Sequence, residues 1–204
     1  MVLAVMVFNK ADARCQRIGF RIMTGNSEIT VTPLFPNSLQ FEQLIVDSEA
    51  ASQIELGGHN DERVVVVAVD APELGDLQVT ATSTNANRLY HEYEKNSHIP
   101  FQLNLAYSNT GFPVNHTDIR SAKAQAIKVA KGLNSAVFPA KSSASGSSDP
   151  VSLPENDGNI LSKTRVYLFF YGSIGPVTDG NQVVAGTYET DIVVSIEHNT
   201  NEED

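Results

Sequence analysis

The sequence predicts a single all-β sandwich of about eight strands with one short inserted helix. Three features predict this fold. The last long segment, residues 183–199, alternates apolar and polar side chains, as a half-buried strand does. Residues 63–69 and 165–171 are apolar almost throughout, as strands covered on both faces are. Turn-rich gaps separate these segments from several shorter alternating ones, which is the spacing of antiparallel sandwiches and barrels.

The composition supports a packed core and argues against several partners. The chain has 204 residues, of which 41% are hydrophobic, enough for one domain. Its net charge of −10 argues against nucleic-acid binding and against a polybasic membrane anchor, since both require a basic surface. With Cys15 as its one cysteine, the chain can form no intrachain disulfide.

The sequence contains no pattern typical of an enzyme or of a cofactor site. It has no GxSxG, P-loop, HExxH or CxxC motif. The five histidines lie in or beside predicted loops, or at strand ends, without metal-ligand spacing. We therefore expect a protein that is not an enzyme and that uses no metal or cofactor.

The N-terminal region divides into two predicted segments ahead of the domain proper, which we place at residues 27–204. Residues 1–13 are a signal-peptide remnant or an apolar segment that is retained. They begin with a run too short to span a bilayer and end with Ala11-Asp12-Ala13, which has the form of a signal-peptidase site. Residues 14–26 form an N-terminal extension with the alternation of a strand.

The remaining elements follow in chain order. Residues 28–34 alternate and contain Pro33, which indicates an edge strand or a strand end. Two further alternating strands are predicted around residues 77–81 and 101–107, separated by a polar loop at residues 85–98. The spacing of small and apolar residues predicts a helix over residues 118–131.

The sequence also predicts where this helix begins and ends and which segment follows it. Thr117 or Asp118 is the predicted start of the helix, and Gly132 its predicted end. We expect the helix to cover one end of the sandwich, with partner binding as the alternative. Residues 141–150 are rich in serine and glycine and predict a flexible loop rather than a domain boundary.

Two stretches carry a resemblance to a known group of proteins. The turn Ala185-Gly186-Thr187-Tyr188, which leads into the alternating terminal strand, and residues 28–52 resemble the spore coat protein U-like domains. They resemble the chaperone–usher pilins more distantly. Both groups are secreted β-sandwiches of bacterial surfaces. The resemblance implies an immunoglobulin-like or jelly-roll-like sandwich that serves as a structural subunit of an extracellular pilus or surface filament.

The resemblance to pilins also implies a mode of assembly. In pilins a neighbour's N-terminal strand completes the sandwich by β-augmentation. The expected partners are therefore copies of the same chain, with an assembly chaperone or an outer-membrane assembly machinery as further partners. The residues that fit these roles are, for the donor strand, Arg17, Ile18, Gly19, Phe20, Arg21 and Ile22, and, for the acceptor-side terminal strand, Tyr188, Ile192, Val194 and Ile196.

Three alternatives remain open from the sequence. The donor segment equally fits an ordinary first strand that pairs within its own chain. A secreted adhesin or carbohydrate-binding module acting as a monomer would use loops 85–98 and 112–117. A jelly-roll coat protein would form closed shells or rings. If the donor assignment holds, a Phe20→Asp chain is predicted to lose assembly and yet keep a folded sandwich.

Overall fold

A computed structural model describes residues 11–25, 28–42, 44–46, 53–56, 58–83, 85–129, 132, 135–142, 162–177 and 183–199. Thirteen strands and one helix lie within those ranges. The strands are β1 (Ala11–Thr24), β2 (Thr30–Phe35), β3 (Ser38–Phe41), β4 (Leu44–Val46), β5 (Ile54–Glu55), β6 (Val65–Pro72), β7 (Asp76–Ser83), β8 (Arg88–His91), β9 (His98–Pro113), β10 (Ile127–Lys128), β11 (Ser135–Pro139), β12 (Lys163–Ile174) and β13 (Gly186–Asn199). The helix is α1 (Ile119–Ala124).

The predicted all-β, sandwich-like fold with one short helix is confirmed. Strands outnumber the predicted eight because several short pieces, such as β5 and β10 with two residues each, pair beside longer strands. Within the part of the chain described above, no helix has the length and apolarity needed to cross a membrane. The predicted loop at 141–150 lies outside the described residues from 143 onward, as do residues 1–10 of the predicted N-terminal segment.

The strands form two layers. In layer 1, β13 is central: it pairs antiparallel with β7 and β8 on one side and parallel with β1 on the other. β11 lies beyond β7, and β3 and β4 lie beyond β1. Layer 2 has the antiparallel order β2-β6-β12-β9, with β10 beside β9 and β5 beside β12. The start of β9 pairs with β8, which joins the two layers at one end.

The main core lies between the two layers. The alternation predicted for the terminal strand is confirmed, since every second residue of β13 from Tyr188 to His198 is buried. The inner side chains of layer 2 meet those of β13 and β7 in one apolar cluster. Within the described residues, β2 has a neighbour, β6, on one side only, so Pro33 lies in an edge strand as predicted.

A second apolar cluster covers the outer face of layer 2. It joins Val66 and Ala68 of β6 with Tyr167 and Phe169 of β12, and Ala122 of α1 packs onto them. This cluster explains why β6 and β12 are apolar almost throughout: one set of side chains faces layer 1, and the other lies under the helix. The prediction that both strands are buried on both faces is confirmed.

The predicted helix is wrong in length and in location. α1 starts as predicted, with the Asp118 carboxylate accepting a hydrogen bond from the Ser121 N–H, but it ends at Ala124. Residues 127–128 instead pair with β9, and Ile127 is exposed. Gly132 does not close the helix, because its N–H donates to the Asn104 side chain. The helix covers the outer face of layer 2 rather than an end of the sandwich.

Candidate subunit interface

The predicted donor segment forms the middle of β1, which lies between strands that come later in the chain. On one side β1 runs parallel to β13, with Ile18 opposite Thr190 and Phe20 opposite Ile192. On the other side it runs antiparallel to β3, with Ile18 opposite Leu39, and then to β4. We call the space between β13 and the β3–β4 pair the β1 slot. In this structure the slot is filled by the first strand of the same chain.

The strand extends further than the predicted extension. β1 begins at Ala11, so residues 11–13, assigned from the sequence to the preceding segment, pair with β4. The predicted extension at 14–26 is therefore part of layer 1 up to Thr24 and is not separate from the domain. The physical reason is that β4 and β3 offer unpaired backbone groups to residues 11–13 and 16–19 of β1, and an extended segment satisfies them.

The inner face of β1 packs into the main core. Ile18 is fully buried, and Phe20 and Ile22 are half-buried against the same cluster. The rings of Phe20 and Phe170 of β12 lie 5.4 Å apart at 49°. Since full burial of one such side chain stabilises by about 1.5–3 kcal/mol, Ile18 contributes about that much to holding β1 in place, and the half-buried Phe20 and Ile22 add less each.

The outer face of β1 is basic and runs beside acidic positions of β13. Arg17 and Arg21 are exposed, and Arg17 lies opposite Glu189. Gly19 lies opposite Asp191, and the Asp191 carboxylate occupies the space that a side chain at position 19 would need. A Cβ atom at position 19 would lie 3.8 Å from Arg17 Nη2, so the Arg17 guanidinium is close to this carboxylate. Opposite charges on facing strands favour one register over its neighbours.

The four predicted acceptor residues are all buried on β13, but they do not share one role. Ile192 and Val194 lie opposite Phe20 and Ile22 of the donor segment, and Ile196 lies opposite Thr24, the end of β1. Tyr188 lies opposite Gln16 instead, outside the predicted donor residues. The structure therefore brings the donor and acceptor sets together within one chain, with Tyr188 at the margin of the contact.

Tyr188 closes the turn that leads into β13. Its hydroxyl donates to the Val184 carbonyl at 2.8 Å and accepts from the Val184 N–H at 2.9 Å, and it lies 2.5 Å from Ser97 Oγ. Burial raises the pKa of the Tyr188 phenol, so the group stays neutral. A tyrosine bonded to the backbone a few residues upstream fixes such a corner, which explains the tyrosine after Ala185-Gly186-Thr187.

Removing this hydroxyl is expected to weaken the fold. A Tyr188→Phe chain leaves the Val184 backbone groups and the Ser97 hydroxyl without this partner, so we expect the free energy of unfolding to fall by about 1–3 kcal/mol. Urea denaturation followed by circular dichroism measures it. Tyr93→Phe is the matched control, because Tyr93 is 79% exposed. Equal effects of the two changes would contradict the role of the corner.

The alternation of apolar and polar residues predicted β13, one wall of the β1 slot, but it did not predict that β3 and β4 form the other wall. The sequences of β3 and β4 contain nothing that identifies β1 as their neighbour. The apolar residues that face it, such as Leu39 and Phe41, are the signal that was present. Alternation gives the buried face of a strand but not its partner or its direction.

The predicted polar loop 85–98 contains β8 and a tight turn, and it borders an open depression of about 400 Å³. The residues around the depression are Asn85, Tyr90, His91, Glu92, Lys95 and Glu189. His91 has a structural role there. Its Nδ1 accepts from the backbone N–H of Tyr93 and of Glu94, so Nε2 carries the proton and donates to the Ala185 carbonyl.

The second predicted loop, residues 112–117, begins with the last two residues of β9 and continues past the edge of layer 2. Phe112 stacks on His116 with the ring centres 4.2 Å apart, and His116 Nδ1 donates to the Tyr167 hydroxyl at 2.9 Å. Tyr167 belongs to the cluster on the outer face, and the half-buried Phe112 packs against that cluster. Among the described residues, no group of three or more histidine, cysteine, aspartate or glutamate side chains could hold a metal ion.

Comparison with known proteins does not identify a family. No protein-family model matches the chain, and no curated protein matches it. The resemblance to spore coat protein U-like domains and pilins therefore stays a prediction that rests on residues 185–188 and 28–52. The candidate interface stands on the contacts of β1 described above.

Proposed function

We propose that this protein is a structural subunit of an extracellular filament, assembled head to tail by donation of β1 to a neighbouring copy. The observation that carries the proposal is the position of β1 in a slot whose two walls, β13 and β3–β4, follow it in the chain. Another copy's β1 would find the same contacts in that slot. Exchange of an identical element between copies is a low-cost route to assembly.

The connection between β1 and β2 sets how exchange would occur. Residues 25–29 link Thr24 in layer 1 to Thr30 at the edge of layer 2. The six backbone steps from Thr24 to Thr30 span at most about 22 Å when extended, so donor and acceptor must be in direct contact. A one-way exchange leaves a free β1 and a free slot at the two ends, and it therefore grows into a fibre. A reciprocal exchange closes into a dimer.

The buried residues of β1 make the exchange selective. An entering strand must present apolar side chains at the positions of Ile18, Phe20 and Ile22 and pair with both walls at once. Its outer face must suit Glu189 and Asp191, which favours a basic strand. The β1 of another copy meets all of these requirements.

Disulfide trapping between two differently labelled copies tests the proposal. Arg21 and Val193 are cross-strand neighbours on the outer face, and neighbouring strands lie about 4.8 Å apart, within the span of a disulfide. One copy carries Arg21→Cys, the other carries Val193→Cys, and both carry Cys15→Ser. After mixing and oxidation, we expect a disulfide-linked pair of chains, because β1 of one copy lies beside β13 of the other.

Two controls make the result decisive. Glu197→Cys replaces Val193→Cys as the register control, because it lies four residues further along β13 and should not link to position 21. A single chain with Arg21→Cys and Val193→Cys reports insertion into its own slot. If only this internal link forms, and light scattering gives the mass of one chain, filament assembly by strand donation is excluded.

A binding role for the β8–β9 end is the second candidate, favoured by the open depression beside β8. Its polar and charged lining, together with the half-exposed Tyr90, suits a hydroxyl-rich ligand such as a sugar. This function predicts a monomer that binds in a glycan array and loses binding in Tyr90→Ala. A coat protein would instead give closed shells or rings in negative-stain electron micrographs.

A further inference from the structure

A row of four side chains crosses the outer face of layer 1 and begins on the exchanging strand. Each of them lies opposite the next in the sheet: Arg17 of β1, Glu189 of β13, Tyr90 of β8 and His98 of β9. Arg17 and Glu189 are exposed, and Tyr90 and His98 are half-exposed. Because neighbouring strands lie about 4.8 Å apart, the row is about 14 Å long. It therefore forms a continuous platform held by four paired strands, and its first member belongs to β1.

The row borders the open depression beside β8. Glu189 and Tyr90 belong both to the row and to the residues around the depression, which also include Glu92 and Lys95 of the loop between β8 and β9. His91 holds this loop, because its Nδ1 accepts two of the loop's backbone N–H groups. The polar groups of the depression are therefore fixed before a ligand arrives, which lowers the entropy lost on binding.

The chemistry of the row matches a sugar ring. Sugar hydroxyls both donate and accept hydrogen bonds; the Glu189 carboxylate accepts and the Arg17 guanidinium donates, so adjacent hydroxyls of one ring can meet both. The Tyr90 ring offers an apolar surface to the C–H groups of the sugar, and the His98 ring, 5.9 Å away at 38°, supports it from the β9 side. Arg17 lies close to Asp191 as well, so the acidic residues of β13 hold its guanidinium at this face.

We propose that Arg17 completes a sugar site at this depression, so that in the filament each site is shared between two copies. The copy that donates β1 supplies Arg17, and the copy that accepts it supplies Glu189 and Tyr90. An empty slot has an incomplete site. Because the sugar contacts both copies, sugar binding and strand insertion strengthen each other by the same factor. This inference rests on the strand donation and on the sugar-binding role proposed above.

Single substitutions test the part played by Arg17. The probe is an array of immobilised neutral and acidic oligosaccharides, followed by calorimetric titration of the one that the parent binds best. We expect Arg17→Ala to weaken this binding about tenfold, the loss of one charge-assisted hydrogen bond. Arg17→Lys keeps a charged donor and should lose less than about threefold. Arg21→Ala is the matched control, because Arg21 is an exposed arginine of the same strand face that lies opposite Val193. Equal losses in Arg17→Ala and Arg21→Ala overturn the proposal, as does a parent that binds no oligosaccharide.

Complementation between two defective copies tests whether the site is shared. One copy carries Arg17→Ala, the other carries Tyr90→Ala, and each alone should bind the same oligosaccharide weakly. After joint unfolding in urea and refolding as an equal mixture, random exchange of β1 should restore about a quarter of the parent's sites, because Arg17 of one copy then lies beside the intact Tyr90 of the other.

The disulfide-trapping assay described above separates the two ways in which complementation can fail. No recovery of binding in a mixture whose chains do exchange β1 overturns the shared site and leaves strand donation standing. No recovery together with no disulfide between copies excludes strand donation itself, and the shared site with it. Circular dichroism of each variant confirms that a loss of binding is not a loss of the fold.

Discussion

Replacing Ile18 by aspartate is expected to expel β1 from its slot and to lower the free energy of unfolding by about 4 kcal/mol or more. Ile18 is fully buried, with Thr190 of β13 on one side and Leu39 of β3 on the other. The change removes a branched apolar side chain and places a carboxyl group where the described residues offer an apolar cluster. Urea denaturation measures the loss, and limited proteolysis detects the freed strand.

Met23 provides the control on the same strand. Its side chain is 54% exposed, so Met23→Asp should change the stability by no more than about 0.5 kcal/mol. If Ile18→Asp is as mild as Met23→Asp, β1 does not occupy the slot in the free chain. Phe20→Asp cannot separate assembly from folding as the sequence predicted, because Phe20 packs on Phe170 within its own chain.

The sequence was sufficient to predict which face of a strand is buried, because burial alone determines the order of apolar and polar side chains. The terminal strand alternates over its whole length because one face meets the core and the other meets solvent. β6 and β12 are apolar almost throughout because α1 and its neighbours cover their second face. A register shift of one residue would move the inner side chains of such a strand to its outer face. The side chains alone therefore predict which face is buried.

The sequence was insufficient to predict which strands pair and whether they run parallel or antiparallel. The parallel pairing of β1 with β13 joins the first and last described strands, and no local turn specifies it. The helix was predicted too long because residues 126–131 have helical spacing, yet Ile127 and Lys128 form backbone pairs with Tyr107 and Ala106. Tertiary pairing overrode a weak local propensity there.

Layer 2 contains a buried ion pair that the apolar sequences of β6 and β12 did not predict. Arg165 is the first residue of the apolar run 165–171, and Asp70 directly follows the apolar run 63–69; antiparallel pairing of β12 with β6 places them side by side. Their side chains are each 10% exposed and make two hydrogen bonds of 2.7 Å, and Arg165 Nη1 donates to the His116 carbonyl. The sequence did contain one indication of this pair: opposite charges stand at the start of one apolar run and at the end of the other.

Removing the Asp70 charge is expected to be severe. In an Asp70→Asn chain, Arg165 remains charged and buried without its counter-ion, so we expect the free energy of unfolding to fall by about 3–5 kcal/mol in urea denaturation. Glu42→Gln is the matched control for a lost carboxylate beside an arginine. The Arg63–Glu42 pair is exposed, with Glu42 at 79%, and its loss should change the stability by no more than about 0.5 kcal/mol.

The double variant Asp70→Leu with Arg165→Met decides whether the pair stabilises the fold or only its breakage destabilises it. Both charges are then gone, and the His116 carbonyl keeps the Tyr167 hydroxyl as a donor. Two apolar side chains of similar volume join the cluster that already covers this face. Because desolvation offsets most of the attraction within a buried pair, the double variant should recover most of the stability lost in Asp70→Asn. A double variant as unstable as the single one would mean that the ion pair itself holds β6 against β12.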